Sequence, residues 1–177
     1  MTSKMRAALG GAVLALAATA AAAQQESTNN VAVKTDWNVF VEDDPTECWG
    51  VSPPKSTVNT RGGKVVSVRR GEILLFVTFR PGANVAGEVS FTGGYPFKEG
   101  STVTLQVGSD TFDLFSDGEW AWSASKADDA KIIDAMKRGT EAVLTAMSSR
   151  GTQTKDTFSL YGFTAALDEA QRRCSGN

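Results

Sequence analysis

Thr111-Phe112-Asp113-Leu114-Phe115-Ser116-Asp117-Gly118-Glu119-Trp120-Ala121-Trp122-Ser123 reads as two short strands joined by a tight turn. Thr111 to Ser116 and Glu119 to Ser123 carry the aromatic and β-branched residues that suit a pleated, half-buried surface. Asp117-Gly118 between them supplies the positive φ angles that a two-residue type I′ hairpin requires. The same pattern, short apolar runs punctuated by Gly, Pro and Asp, extends on both sides. Upstream, strands are expected over Asp36 to Val41, Cys48 to Ser52, Lys64 to Arg69, Ile73 to Phe79, Gly87 to Phe91 and Thr102 to Val107. Ile73-Leu74-Leu75-Phe76-Val77 lacks alternation and predicts a strand buried on both faces. Thr102-Val103-Thr104-Leu105-Gln106-Val107 alternates strictly and predicts one wet face. Gly71 and Pro81-Gly82 mark reversals, and Arg61-Gly62-Gly63 a flexible tip.

Downstream of the hairpin the period changes. Ser125 caps a helix with Asp128 three residues on, Ile132, Ile133 and Met136 form its apolar face, and Lys137-Arg138-Gly139 suit its end. Strand character returns over Glu141 to Ser149 and Gln153 to Phe158. A last helix is expected from about Leu160 to Arg173, with Ser159 as its cap and Phe163, Leu167 and Ala170 facing inward. The fold class is therefore mainly β, with two short helices in the C-terminal third, in a single domain over residues 35–177.

The N-terminus reads as an address. Lys4 and Arg6 precede an apolar run from Ala7 to Ala18, and Ala21-Ala22-Ala23 ends the segment as an A-x-A site. The run is shorter than the roughly 20 apolar residues a membrane helix needs, so residues 1–23 are expected to be a cleaved signal peptide. No cysteine follows the site to carry a lipid. Residues 24–34 are polar and are expected to be a flexible leader. Of 18 basic and 20 acidic residues, Lys4 and Arg6 leave with the signal, so 16 face 20 and the mature net charge is −4. That balance gives no electrostatic reason to expect nucleic acid or anionic lipid as a partner.

Export gives the two cysteines a meaning. Cys48 and Cys174 are the only pair, and in an oxidising compartment they are expected to form a disulfide clipping the last helix to an early strand. The alternative, a redox or metal site, lacks both a C-x-x-C spacing and a histidine. The chain has no histidine at all, which removes the usual general base of serine and cysteine hydrolases. Paired carboxylates could still cleave glycosidic bonds, and Asp43-Asp44, Asp117 with Glu119, and Asp128-Asp129 are the candidates. Each has a plainer use in a loop, a turn or a helix's first turn. No calcium loop or glycine-rich phosphate cradle is present. No catalytic, cofactor-binding or metal-ligating residue is therefore assigned.

Aromatic residues are the remaining candidates. Tyr95 and Phe97 follow Gly93-Gly94 in a bend, while Trp120 and Trp122 project from one face of a strand. Their commoner fate is burial, with the tryptophans in a sandwich core and Tyr95-Pro96-Phe97 plugging one end. The alternative is an exposed platform against sugars, peptides or partner proteins, with Tyr95, Phe97, Trp120 and Trp122 as partner-binding residues. Arg61, Lys64, Arg69 and Arg70 are expected to decorate solvated strand ends, or else to form a basic patch.

Cys48-Trp49-Gly50-Val51-Ser52-Pro53-Pro54, Val68-Arg69-Arg70-Gly71, Phe91-Thr92-Gly93-Gly94-Tyr95-Pro96-Phe97, Asp117-Gly118-Glu119-Trp120-Ala121-Trp122 and Ser159-Leu160-Tyr161-Gly162-Phe163-Thr164-Ala165-Ala166 resemble, in order and spacing, the invasion-associated locus B proteins of alphaproteobacteria. The resemblance spans essentially the whole mature chain. It implies an exported envelope protein with an immunoglobulin-like β-sandwich and, in pathogenic members, a link to entry into host cells such as erythrocytes. It carries over no catalytic residue. The expectation is an exported, non-enzymatic envelope protein that binds an envelope or host protein or a glycan, periplasmic, outer-membrane associated or secreted. The alternatives are a carboxylate-dependent envelope glycan hydrolase and a structural or chaperone-like periplasmic component.

Overall fold

The computed structural model describes residues 28–44 and 46–176. The expected signal peptide and most of the leader lie outside them. Twelve strands follow in chain order: β1 (Asn30–Lys34), β2 (Trp37–Asp43), β3 (Thr46–Ser52), β4 (Ser56–Arg61), β5 (Lys64–Val65), β6 (Leu74–Arg80), β7 (Val85–Thr92), β8 (Thr102–Val107), β9 (Asp110–Asp117), β10 (Trp120–Trp122), β11 (Glu141–Met147) and β12 (Gln153–Ser159). Helix α1 (Lys126–Arg138) lies between β10 and β11, and α2 (Phe163–Ser175) closes the chain. The strands form one antiparallel ladder in the order β1-β2-β3-β6-β7-β10-β9-β8-β11-β12-β4-β5. This ladder folds over on itself: Phe91 of β7 meets Phe158 of β12 edge-on, with ring centroids 6.1 Å apart. The two layers are thus halves of a single sheet.

Strand alternation sorts the side chains. Leu75, Val77 and Phe79 of β6 point inward beside Val89 and Phe91 of β7, Ala121 of β10 and Leu114 of β9, all buried. In β8, Val103, Leu105 and Val107 are buried while Thr102 and Gln106 are exposed, the one wet face the alternation predicted. β6 lies inside the ladder, and the other face of its apolar run is half-buried rather than sealed: Leu74 and Phe76 are covered only in part.

Helix α1 starts where the capping pattern placed it. Ser125 Oγ accepts from the Asp128 backbone N–H at 3.2 Å, and Ile132, Ala135 and Met136 are buried. Asp129 accepts from the Val89 N–H at 2.8 Å and the Ser123 hydroxyl at 2.7 Å, stitching the helix to β7. Helix α2 lays Phe163, Ala166, Leu167, Ala170 and Cys174 on β1, β2, β3 and β6. Cys174 is joined to Cys48 of β3 by a disulfide, with 5.8 Å between the Cα atoms.

Several local expectations are corrected. The last five leader residues are not mobile coil but strand β1, in which Asn30, Ala32, Val33 and Lys34 pair with β2. Lys64 to Arg69 is strand only over Lys64–Val65, and the missed partner is β4, joined to it through a Gly62-Gly63 turn where a flexible tip was expected. The hairpin between β9 and β10 pairs Asp117 with Trp120, so the turn residues are Gly118 and Glu119, and only Gly118 has positive φ, at 59°. That is the pattern of a II′ turn, which needs glycine at its first position alone. Helix α2 begins at Phe163 rather than Leu160, capped by Gly162 rather than Ser159. Gly162 has φ +88°, and a Cβ there would fall 1.9 Å from the Lys34 carbonyl oxygen, so only glycine lets the β1–β2 hairpin seat against the helix start.

Candidate functional site

The tryptophans of β10 are not sandwich core. Ala121 points inward and is fully buried, so its neighbours Trp120 and Trp122 face out, with Trp120 36% exposed and Trp122 half-buried. Period-two alternation forces this: one small inward residue between two rings leaves both rings on the other face. The ladder then aligns them with aromatics from other strands. Trp122 pairs across with Phe115 of β9, which is 50% exposed, and the two rings stack at 5.5 Å. Trp120 lies 6.3 Å from Trp122 and 5.5 Å from Phe76 of β6. On the far side of β6, Trp49 of β3 stacks on Phe40 of β2 at 5.5 Å. The outer face thus carries rings from five strands.

Between the two ring groups runs an open groove of about 340 Å³, walled by Trp49, Phe76, Trp120 and Trp122. Thr78 and Ser90 lie in its floor, both buried. Its rim is ionic: Arg80 donates from Nε to Glu47 at 2.7 Å and from Nη2 to Glu88 at 3.0 Å. The Glu47 carboxylate raises the Arg80 pKa against the opposing effect of burial. Such a surface offers ring faces for CH or cation contacts and a fixed set of polar groups at its edge.

Tyr95 and Phe97 do not join this face. Phe97 is buried against Phe91 at 6.0 Å, plugging the sandwich end. Tyr95 packs edge-on against Phe97 at 5.2 Å, and its hydroxyl meets the Thr154 hydroxyl at 2.5 Å. Burial raises the Tyr95 pKa, opposed by the Thr154 bond and the charge of Arg70. Of the four aromatic candidates, Trp120 is exposed, Trp122 and Tyr95 are half-buried on different faces, and Phe97 is buried.

Arg70 is not a solvated strand end either. Its guanidinium holds Asp156 of β12 in a two-bond fork, Nη1 to Oδ1 at 2.7 Å and Nη2 to Oδ2 at 2.6 Å. The side chains are 6% and 0% exposed. Nε donates to the Gly93 carbonyl at 2.9 Å, and the guanidinium lies 4.9 Å from the Tyr95 ring centroid.

The acidic candidates take structural places. Asp128 lies in the first turn of α1, where it accepts from the Ser125 hydroxyl at 2.8 Å and pairs with Lys131 at 2.9 Å, Asp129 binds β7 as described, and Asp117 flanks the hairpin turn. Asp43 and Asp44 sit exposed beside the β2–β3 reversal. Among the described residues no three acidic or cysteine side chains gather as a metal ion would require.

Four members of the ring face, Phe40, Trp49, Phe76 and Phe115, were not singled out from sequence. Phe40 and Phe115 carried a usable signal, each being flanked by residues of opposite facing in an alternating run. Phe76 was hidden inside an unbroken apolar stretch.

Comparison with known proteins gives the family. The model for invasion associated locus B (IalB) proteins matches residues 56–171, from β4 into α2. Among solved structures, the crystal structure of invasion associated protein b from Bartonella henselae matches with a TM-score of 0.54 at 15% identity, covering 78% of this chain and 94% of that one. At that identity the likeness is one of fold. No curated protein matches. The matched region contains β6, β7, β9 and β10, which bear most of the outer ring face, and the chain belongs to the invasion associated locus B family.

Proposed function

We propose that the mature chain is a non-enzymatic protein of the bacterial envelope, acting after export, that binds a protein or glycan partner through its outer ring face. The observation that carries this reading is the partly exposed run Phe76, Trp120, Trp122 and Phe115, held in register by four paired strands. Large rings left open to water add little to folding, a contiguous apolar patch marks a contact surface, and tryptophan is prominent among the residues that carry binding energy there. Export is supported by the N-terminal signal pattern and by the Cys48–Cys174 bridge, a device of oxidising compartments. The structural roles of Asp128 and Asp129 and the lack of histidine favour binding over catalysis. Family membership connects the chain with invasion-associated proteins, and a part in host-cell entry belongs to this proposal only as one use of the same face.

The test is a titration of oxidised protein lacking residues 1–23 with solubilised envelope glycans and, separately, with envelope proteins, following tryptophan emission. A saturable change with one class, lost in Trp120→Ala, supports the reading. Cleavage of the glycan, or binding that survives loss of Trp120, Trp122 and Phe115 together, overturns it.

A further inference from the structure

A second cleft lies at the end of the sandwich that Tyr95 and Phe97 close. It encloses about 500 Å³ between the β4–β5 hairpin, the irregular segment after it and the β11–β12 turn, and it is lined by Arg61, Arg69, Arg70 and Arg150. A cleft of this size falls within the range of small-molecule sites. Arg70 is saturated by Asp156 and forms the rigid floor. Arg61 donates to the Thr152 hydroxyl at 2.7 Å, which orients it without neutralising it. Arg61, Arg69 and Arg150 make no ion pair among the described residues, where Arg70, Arg80, Arg138, Arg172 and Arg173 all do.

Three uncompensated guanidinium groups in one concave site repel one another, in a protein whose formal net charge is negative. A low-dielectric wall on one side strengthens the field they project into the cleft. The single opposing charge on the wall is Glu119. A carboxylate there rejects a bare polyanion but accepts hydrogen bonds from hydroxyl groups, and the Ser149 and Thr152 hydroxyls offer further partners. A ligand anionic at one end and rich in hydroxyls elsewhere would complement both features.

We propose that this cleft is a binding site for an acidic saccharide, a sugar carrying a phosphate or carboxylate. The anionic group sits between Arg69, Arg150 and Arg61, where planar forks match a carboxylate or phosphate. The sugar hydroxyls face Glu119. The site is distinct from the outer ring face, so it goes beyond the binding role proposed above and stands or falls separately.

Calorimetric titration of the oxidised mature protein with glucose 1-phosphate, glucuronate, glucose and inorganic phosphate tests it. The first two are expected to bind at least about tenfold more tightly than glucose or phosphate alone, with affinity falling as salt rises. Preference between the phosphate and carboxylate sugars identifies the natural anionic group. The double substitution Arg69→Ala with Arg150→Ala, both exposed and unpaired, should weaken binding by at least about tenfold at unchanged circular dichroism, while Trp120→Ala leaves it intact. Equal affinity for glucose and its phosphate, binding of phosphate alone as tight as that of its sugar, no binding of either acidic sugar, or indifference to the double substitution overturns the assignment.

Discussion

The inner and outer faces of the sheet are both aromatic, yet they differ in how far their rings are covered. Inside, Trp37, Phe91, Phe158 and Phe163 are at most 1% exposed, and the Trp37 indole donates to the Ser159 carbonyl at 3.0 Å. Outside, Phe115 and Trp120 are 50% and 36% exposed and touch mainly other rings. The inner rings remove area from water on folding and so stabilise the fold. The outer rings hold back part of that gain, which becomes available when a partner covers them. The same residue type thus stabilises the fold on one face and, in the binding role proposed above, would serve recognition on the other.

The largest expected effect tests the inner half of this contrast. Phe158→Ala should cost about 3–5 kcal/mol by opening a cavity beside Phe91, lowering the melting temperature by roughly 10 °C in thermal denaturation. Arg70→Ala should cost a similar amount, about 3–5 kcal/mol, because Asp156 is left charged and fully buried without its partner. Removing the carboxylate as well, with Asp156→Asn, should recover part of that loss, which denaturant melts of the double variant would show. Reduction of the Cys48–Cys174 bridge, whose partners are 126 residues apart, should cost about 2–5 kcal/mol, read as a lower urea midpoint in reductant. On the outer face, Phe115→Ala should change stability by no more than about 1 kcal/mol, since half of that ring is already in water. A loss comparable to that of Phe158→Ala would erase the distinction between the faces.

The smallest effect concerns pH. Arg172 and Arg173 beside Glu169 hold its carboxyl down from 4.5 to about 2, opposed by slight burial and helped by Lys34. A depressed carboxylate pKa stabilises the fold above its unfolded value and loses that contribution as pH falls toward its folded value. Glu169→Gln should therefore lower the melting point slightly at neutral pH, with the difference from the parent shrinking between pH 4.5 and about 2.

Much of the architecture was readable before the structure because it rests on local signals. The alternation in Thr102–Val107 set both the limits and the inward face of β8, and Ser125 with Asp128 set the start of α1. The cysteine pair was readable because only one pairing exists. Features set by distant partners were not readable. β1 is a five-residue run at the end of a polar stretch, too short to declare itself, and is a strand because β2 offers it an edge. Arg70 looked like any surface arginine because Asp156 is 86 residues away. Trp120 and Trp122 were known to share a face, but which face depended on Ala121 fitting against the core. Gly162 as the α2 cap depended on the approach of the Lys34 carbonyl, a contact no local window contains.

The central claim, that the outer rings serve recognition and not folding, is tested most directly by the combined variant Phe115→Ala, Trp120→Ala, Trp122→Ala. Its melting temperature and its binding to separated envelope glycan and protein fractions should be measured on one preparation. The account predicts a melting temperature within about 5 °C of the parent and binding weakened by at least about tenfold. A collapse in stability like that expected for Phe158→Ala, or binding left unchanged, would contradict it.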